Sequence, residues 1–472
     1  MRSSDGALSR RRLSYVPFQY LLGATTNRTP TASSRLRFRL PRGSKAPASH
    51  PPRSTMLHAI FVVPFGMKTS LRFVRATSRL ADVRLGIISQ DKANKLPDDI
   101  QASIVAFQQV DDALNPTSLA EGVRQLAAKM GGRVDRLIGI LEQLQEPLAQ
   151  VREELGIRGM ALQTATNFRD KARMKDVLRD NDLPCAAHRL ATTAAEALRA
   201  ADSIGYPMIA KPPDGAGAKN TVRIETHKQL EGYMRAIPPT KAAPLLLEEF
   251  IRGKEHSFDT VSVGGQHVFH SISEYYPSPL EVMESPWIQW CVFLPREIHH
   301  AEFEDIHAAG CRSLDALGMV TGLSHMEWFR RADGSIAISE VGARPPGAQF
   351  TTLLSYAHDT DFYSAWAELV VHERFTPPER KYSCGAVFLR GQGAGQVASI
   401  SGIEEIKREL GDLIVEARIP EVGTPQASSY EGEGFIILRH EESEVVKKGL
   451  AKLLKLVRIN LGDPATTARS KA

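Results

Sequence analysis

Short apolar runs separated by segments of helical period begin abruptly at Leu57, and little else in this 472-residue chain narrows its fold as much. Leu57–Val63, Val83–Ser89, Ser103–Phe107 and Leu137–Leu141 read as strands, with helices over Lys68–Leu80 and Ser118–Met130 between them. Strands alternating with helices of this length predict βαβ units on a parallel sheet. The first βα loop reads Pro64-Phe65-Gly66-Met67-Lys68, with no GxGxxG, so a dinucleotide fingerprint is absent. This part of the chain reads as scaffold.

The pattern then changes. Over residues 166–375 the expected strands are Pro207–Lys211, Leu245–Phe250, Ser257–Val263, His267–Ser273, Gly322–Phe329 and Ser335–Val341, several joined by tight turns at Gly264-Gly265 and Asp333-Gly334. Hairpin turns between alternating strands predict antiparallel sheets with helices on one face. A last segment carries strands at Tyr382–Arg390 and Gly434–Arg439 and helices at Ile403–Leu410 and Ser443–Leu456, a small α+β unit. The fold class is therefore α/β and α+β, with an N-terminal domain at 56–160, a central domain at 161–375 and a C-terminal subdomain at 376–472.

Charge is divided unevenly. The net +5 hides a tail, residues 1–55, that holds ten Arg and one Lys against a single Asp, while the remainder is mildly acidic. The body therefore lacks the electrostatic footprint of a nucleic-acid binder. The tail is rich in Arg, Ser, Thr and Pro and reads as disordered. It could be a transit segment, a basic arm, or sequence upstream of a true start at Met56, the favoured reading because the first strand follows at once. No window approaches the roughly 18 apolar residues of a membrane-spanning helix. Cys185, Cys291, Cys311 and Cys384 form no CxxC or zinc spacing, which suits a reducing compartment and a cytoplasmic protein.

Chemistry-bearing residues recur in order along the central domain. Lys171 lies in a helix opened by Phe168–Lys175, and Lys211 ends a strand that runs directly into Asp214-Gly215-Ala216-Gly217-Ala218-Lys219. Small residues let backbone N–H groups approach phosphate oxygens, and each ammonium neutralises charge. By turn chemistry alone this loop is better explained by a flexible hairpin. Leu246-Leu247-Glu248-Glu249-Phe250-Ile251 reads as an edge strand whose backbone and carboxylates could meet an adenine, with Glu255 close behind. Glu327 and Glu340 flank the Asp333-Gly334 turn, so antiparallel pairing can put both carboxylates on one face as hard ligands for Mg²⁺. Arg344 follows, a fixed guanidinium able to grip a carboxylate or an acyl phosphate.

Taken together, Lys171, Lys211, the glycine turn, the Glu-Glu-Phe-Ile segment, Glu327, Glu340 and Arg344 resemble the ATP-grasp superfamily of carboxylate–amine ligases over roughly residues 60–460. The resemblance implies ATP with Mg²⁺ or Mn²⁺. It assigns Lys171 and Lys211 to the phosphates and Gly215 and Gly217 to the loop that closes over them. Glu248, Glu249 and Ile251 would meet adenine, Glu255 the ribose, and Glu327 and Glu340 the metal. Arg344 and Lys211 would act in catalysis. Many members carry Asn where this chain has Gly342; bacterial amino-acid ligases are similar in having a small residue near this point. The implied partners are a small carboxylate and an amine, with no nucleic acid or membrane, on a monomer or homodimer. Two rivals remain: a biotin-carboxylase-like enzyme activating bicarbonate, and a non-catalytic ATP-binding protein. The histidines, apart from His325 on the face of Glu327, read as structural, and the Gly391–Gly395 run as a hairpin turn.

Overall fold

The computed structural model describes residues 56–215, 220–285 and 287–463. The expectations for the basic tail, for Gly217 and for much of the glycine loop thus fall outside the described residues.

Strands β1 (Leu57–Val62), β2 (Val83–Ser89), β3 (Ala106–Gln109) and β4 (Arg136–Ile138) form a parallel sheet in the order β3-β2-β1-β4. Two of the four fall where the apolar runs put them. The Ser103–Phe107 run begins on a residue that ends a helix, Asp98–Ser103, and its strand starts three residues later, while the strand in the Leu137–Leu141 run stops at Ile138. The crossover helix Pro116–Lys129 begins with Asn115, whose side chain accepts from the amides of Thr117 and Ser118, and with proline in its first turn, where no amide is missed.

Strands β5 (His188–Ala191), β6 (Met208–Lys211), β7 (Val222–Ile224) and β8 (Leu245–Glu249) make an antiparallel sheet in the order β5-β8-β6-β7. Here the sequence reading needs correction. The Leu245–Glu249 strand is interior, covered on its outer side by β5, a strand of four residues with only its two ends buried and too little alternation to stand out. Its ladder groups are occupied, and an adenine cannot use them as a free edge.

The chain then crosses to β9 (Gly253–Val263), β10 (Gln266–Tyr276), β11 (Trp290–Leu294), β12 (Gly322–Arg331), β13 (Ile336–Gly342) and β14 (Ser383–Leu389), and continues through β15 (Gln396–Ser401), β16 (Ile414–Arg418), β17 (Gly434–His440) and β18 (Arg458–Gly462). Eight of these form one sheet, ordered β13-β12-β9-β10-β11-β14-β17-β16. The Gly264-Gly265 turn joins β9 to β10 with both glycines at positive φ, the backbone a two-residue hairpin needs. The 391–395 run is no hairpin, because β14 and β15 lie in different sheets, β15 pairing with β18. The expected boundary at 375/376 has a single sheet running through it, since β11 pairs with both β10 and β14.

Candidate functional site

Asp170 caps the helix Lys171–Asp180 by accepting from the amides of Ala172 and Arg173, which breaks it from the preceding helix, Leu162–Arg169. Lys171 thereby sits at the first position and Lys175 one turn later on the same face, both buried. Lys171 Nζ donates to the Gly215 carbonyl at 2.5 Å and pairs with Glu340 at 3.0 Å. Lys175 Nζ donates to the Ser339 carbonyl at 2.6 Å and lies 3.6 Å from Glu248. Glu248 also takes Lys211 at 2.9 Å. Three ammonium groups from a helix and a strand thus meet two carboxylates from two different sheets.

Each charge is shaped by the others. Burial alone would raise the Glu340 pKa, but the charges of Lys171 and Lys211 hold it down at about 2. Glu248 is likewise depressed against its burial by Lys175 and Lys211. Burial lowers Lys175, which Glu248 only partly offsets.

One face of the large sheet completes the site. Glu327 is directly opposite Glu340 in the β12–β13 register, and diagonal to Glu255 across the β9–β12 pair. Burial and the neighbouring Glu327 charge push Glu255 well above the usual carboxylate range. His325, two residues from Glu327 on the same face, holds Asp259 at 2.6 Å and Glu327 at 3.8 Å, with the Tyr275 hydroxyl 3.3 Å away. Although burial opposes it, Asp259 and Glu327 raise the His325 pKa to about 9. A register shift after Glu327 leaves Ser339 as an extra residue. This bulge frees the carbonyl that Lys175 binds and returns Ile338 and Val341 to the opposite, apolar face.

Among the described residues no group of three or more His, Cys, Asp or Glu side chains could hold a metal ion. The Glu327–Glu340 pair fits Mg²⁺ in another way, as one or two carboxylates whose remaining shell is water and phosphate oxygen. Arg344 Nε bonds Glu142 at 2.5 Å, and its Nη1 donates to the Pro345 carbonyl. Tyr430, from the C-terminal segment, stacks edge-on against Trp290 and lies close enough for Glu327, Glu340 and Arg344 to shift its titration.

The structure therefore gathers Lys171, Lys211, Gly215, Glu248, Glu255, Glu327 and Glu340, with Arg344 just beyond. Glu249 stands apart, paired at 2.6 Å with Arg331. Ile251 lies in the connector between β8 and β9, packed with Ala186 and Ala337, and its backbone has no hydrogen-bond partner among the described residues. Sequence reasoning missed Lys175, Glu142, Asp259, Tyr275 and Tyr430. Only Lys175 carried a local signal, its i+4 spacing from Lys171.

Comparison with known proteins bears on the fold. Residues 168–279 match the family model of the ATP-grasp domain. An L-arginine-specific L-amino acid ligase of Bacillus subtilis is 23% identical over 326 residues, spanning 66% of this chain and 77% of that protein. The crystal structure of an L-amino acid ligase from Bacillus licheniformis superposes with a TM-score of 0.69 at 20% identity, covering 86% of this chain and 99% of that one. The biotin carboxylase domain of the Hydrogenobacter thermophilus 2-oxoglutarate carboxylase, solved with MgADP, ADP and bicarbonate, superposes at 0.60 with 17% identity, covering 86% of this chain and 91% of that one. The ATP-grasp resemblance read in the sequence is borne out.

Proposed function

We propose that this chain, an ATP-grasp protein in fold and in its matched domain, is an ATP-dependent ligase that activates a carboxylate as an acyl phosphate and joins it to an amine, the substrates being amino acids or similar small metabolites. The observation that carries the reading is the convergence of Lys171, Lys175 and Lys211 on Glu248 and Glu340, facing Glu327. Phosphoryl transfer requires these parts together: cations for the polyphosphate and carboxylates for a divalent metal.

In this reading Lys171 and Lys211 bind phosphate oxygens, and Gly215, whose carbonyl Lys171 holds, borders them. The Glu248 carboxylate holds Lys175 and Lys211 in place, so adenine meets the free backbone at Ile251 rather than the acid. Glu249 borders that pocket through its pair with Arg331, and Glu255 takes the ribose. Glu327 and Glu340 hold Mg²⁺ or Mn²⁺, which when bound neutralises charge on the transferring phosphoryl group. Arg344, oriented by Glu142, grips the substrate carboxylate or the acyl phosphate. Catalysis is then mostly positioning and electrostatic stabilisation, and excluding water protects the intermediate. The domain plan of 56–160, 161–375 and 376–472 serves this reading as scaffold, nucleotide site and a C-terminal unit tied to the nucleotide site by the shared sheet. Free cysteines suit a cytoplasmic setting; among the described residues no helix is long and apolar enough to cross a membrane.

Phosphate release from ATP in the presence of amino-acid mixtures, of bicarbonate, and of neither tests the proposal. Stimulation by amino acids supports it. Stimulation by bicarbonate alone would transfer the chain to a carboxylase class, and nucleotide binding without release would make it a non-catalytic binder.

A further inference from the structure

Arg344 also lines a cavity of about 270 Å³ at the seam between the parallel sheet, the turn leading into β12 and the helix Phe362–His372. Three more arginines line it, Arg136, Arg152 and Arg158, against one acidic residue, Glu373. Arg136 pairs with Glu373 at 3.3 Å, and Arg158 binds the other oxygen of the same carboxylate. Arg152 donates Nε and Nη2 to the Leu137 carbonyl at 2.9 and 2.7 Å and meets no carboxylate among the described residues. Burial pushes its pKa down to about 10. Gly159 is part of the construction, because a Cβ there would come within 2.7 Å of the Arg152 side chain.

Three guanidiniums answered by one carboxylate leave an excess of two positive charges around this space. Met160, Leu323 and Trp366 give it apolar walls, which weaken screening. An uncompensated charge withdrawn from water is costly unless a counter-charge joins it. The volume is well above what one water needs and is enough for a small organic molecule.

We propose that this seam cavity binds a small organic dianion, with its charged groups on Arg152 and on the Arg136–Arg158 pair and its carbon skeleton against the apolar walls. The proposal does not depend on the nucleotide reading. Because Arg344 borders the cavity and bonds Glu142, occupancy touches the guanidinium assigned to the acid substrate.

Isothermal titration of the full chain without nucleotide, using glutarate and separately glycerol 3-phosphate, tests this and distinguishes a dicarboxylate from a phosphate ester. The expected result is saturable binding of at least one probe, weakened about tenfold by Arg152→Gln, the worth of one charge-assisted contact. Arg158→Gln, at the exposed mouth, should weaken it about threefold. ADP affinity, titrated in the same variants, should not change, and it separates failure here from failure of the nucleotide site. No saturable binding of either probe, or binding unaltered by Arg152→Gln, overturns the proposal. Should Arg152→Gln not fold, unaltered binding in Arg158→Gln overturns it.

Discussion

The β12–β13 hairpin has two faces with opposite chemistry. Met326, Trp328, Ile338 and Val341 are fully buried on one, packed among helices, and His256 stacks on Trp328 at 4.5 Å. His325, Glu327 and Glu340 stand on the other, amid lysines and carboxylates. The same few residues of backbone therefore serve stability on one side and charge on the other. Substitutions on the two faces should separate cleanly in what they damage.

The largest effect is expected on the dry face. Trp328→Ala should cost about 3–5 kcal/mol of stability, read from the urea midpoint, through lost burial and a residual cavity. If it instead leaves stability intact and removes activity, the division of labour is wrong. Next, Glu340→Gln keeps the shape and removes the charge, and should lower kcat at least about a hundredfold, about 2.7 kcal/mol, with ATP affinity little altered. Near-normal turnover would remove the metal assignment. Lys211→Ala should weaken ATP binding by about 1.5–3 kcal/mol in a direct titration while the chain stays folded. An unchanged affinity would make that lysine a purely structural partner of Glu248.

A smaller, pH-dependent effect belongs to His256. Burial, with Arg330 and Lys254 nearby, pushes its pKa down to about 3. The unfolded chain therefore binds the proton more readily, and stability present above pH 6.5 is lost as pH falls toward 3. At pH 5.5 the loss from this ring is about 1.4 kcal/mol, and the thermal midpoint of His256→Phe should fall less between pH 7 and 5.5 than that of the native chain. Smallest is Gly342→Asn. A Cβ there would be 3.4 Å from the Glu142 carboxylate and 4.0 Å from the His325 carbonyl, both ordinary contacts, so turnover and melting should both stay close to native. A large loss would show that this position needs glycine.

The chain shows these features in unequal measure. Alternation located Glu327 and Glu340 because a strand's period is two and a hairpin sets the two strands side by side. It could not show the Ser339 bulge, which keeps Ile338 and Val341 on the dry side despite an odd spacing. Lys171 and Lys211 were legible because each borders a recognisable element. Glu142 was not: it reaches Arg344 across 202 residues, and nothing in its local sequence sets this buried acid apart from the exposed ones. The interior position of β8 was hidden for a similar reason. It depends on β5, four residues that become a strand by pairing with a neighbour more than fifty positions away.

The unbroken eight-stranded sheet has a mechanical consequence. From β13 at one rim to β16 at the other, every strand is laced to the next by ladder bonds, so bending between the Glu340 rim and the C-terminal rim would strain many of them together. The sheet behaves as a girder. The four-stranded sheet that carries Lys211 and Glu248 has its own ladder and joins the girder at two short connectors, one around Ile251 and one ahead of β5 that bridges to β13 between Cys185 and Ile338. Any widening of the space between Lys211 and Glu340 therefore divides its backbone torsion between these two connectors and tilts the smaller sheet as a plate. Stiffening them would change how fast a nucleotide enters and leaves before it changed the chemistry.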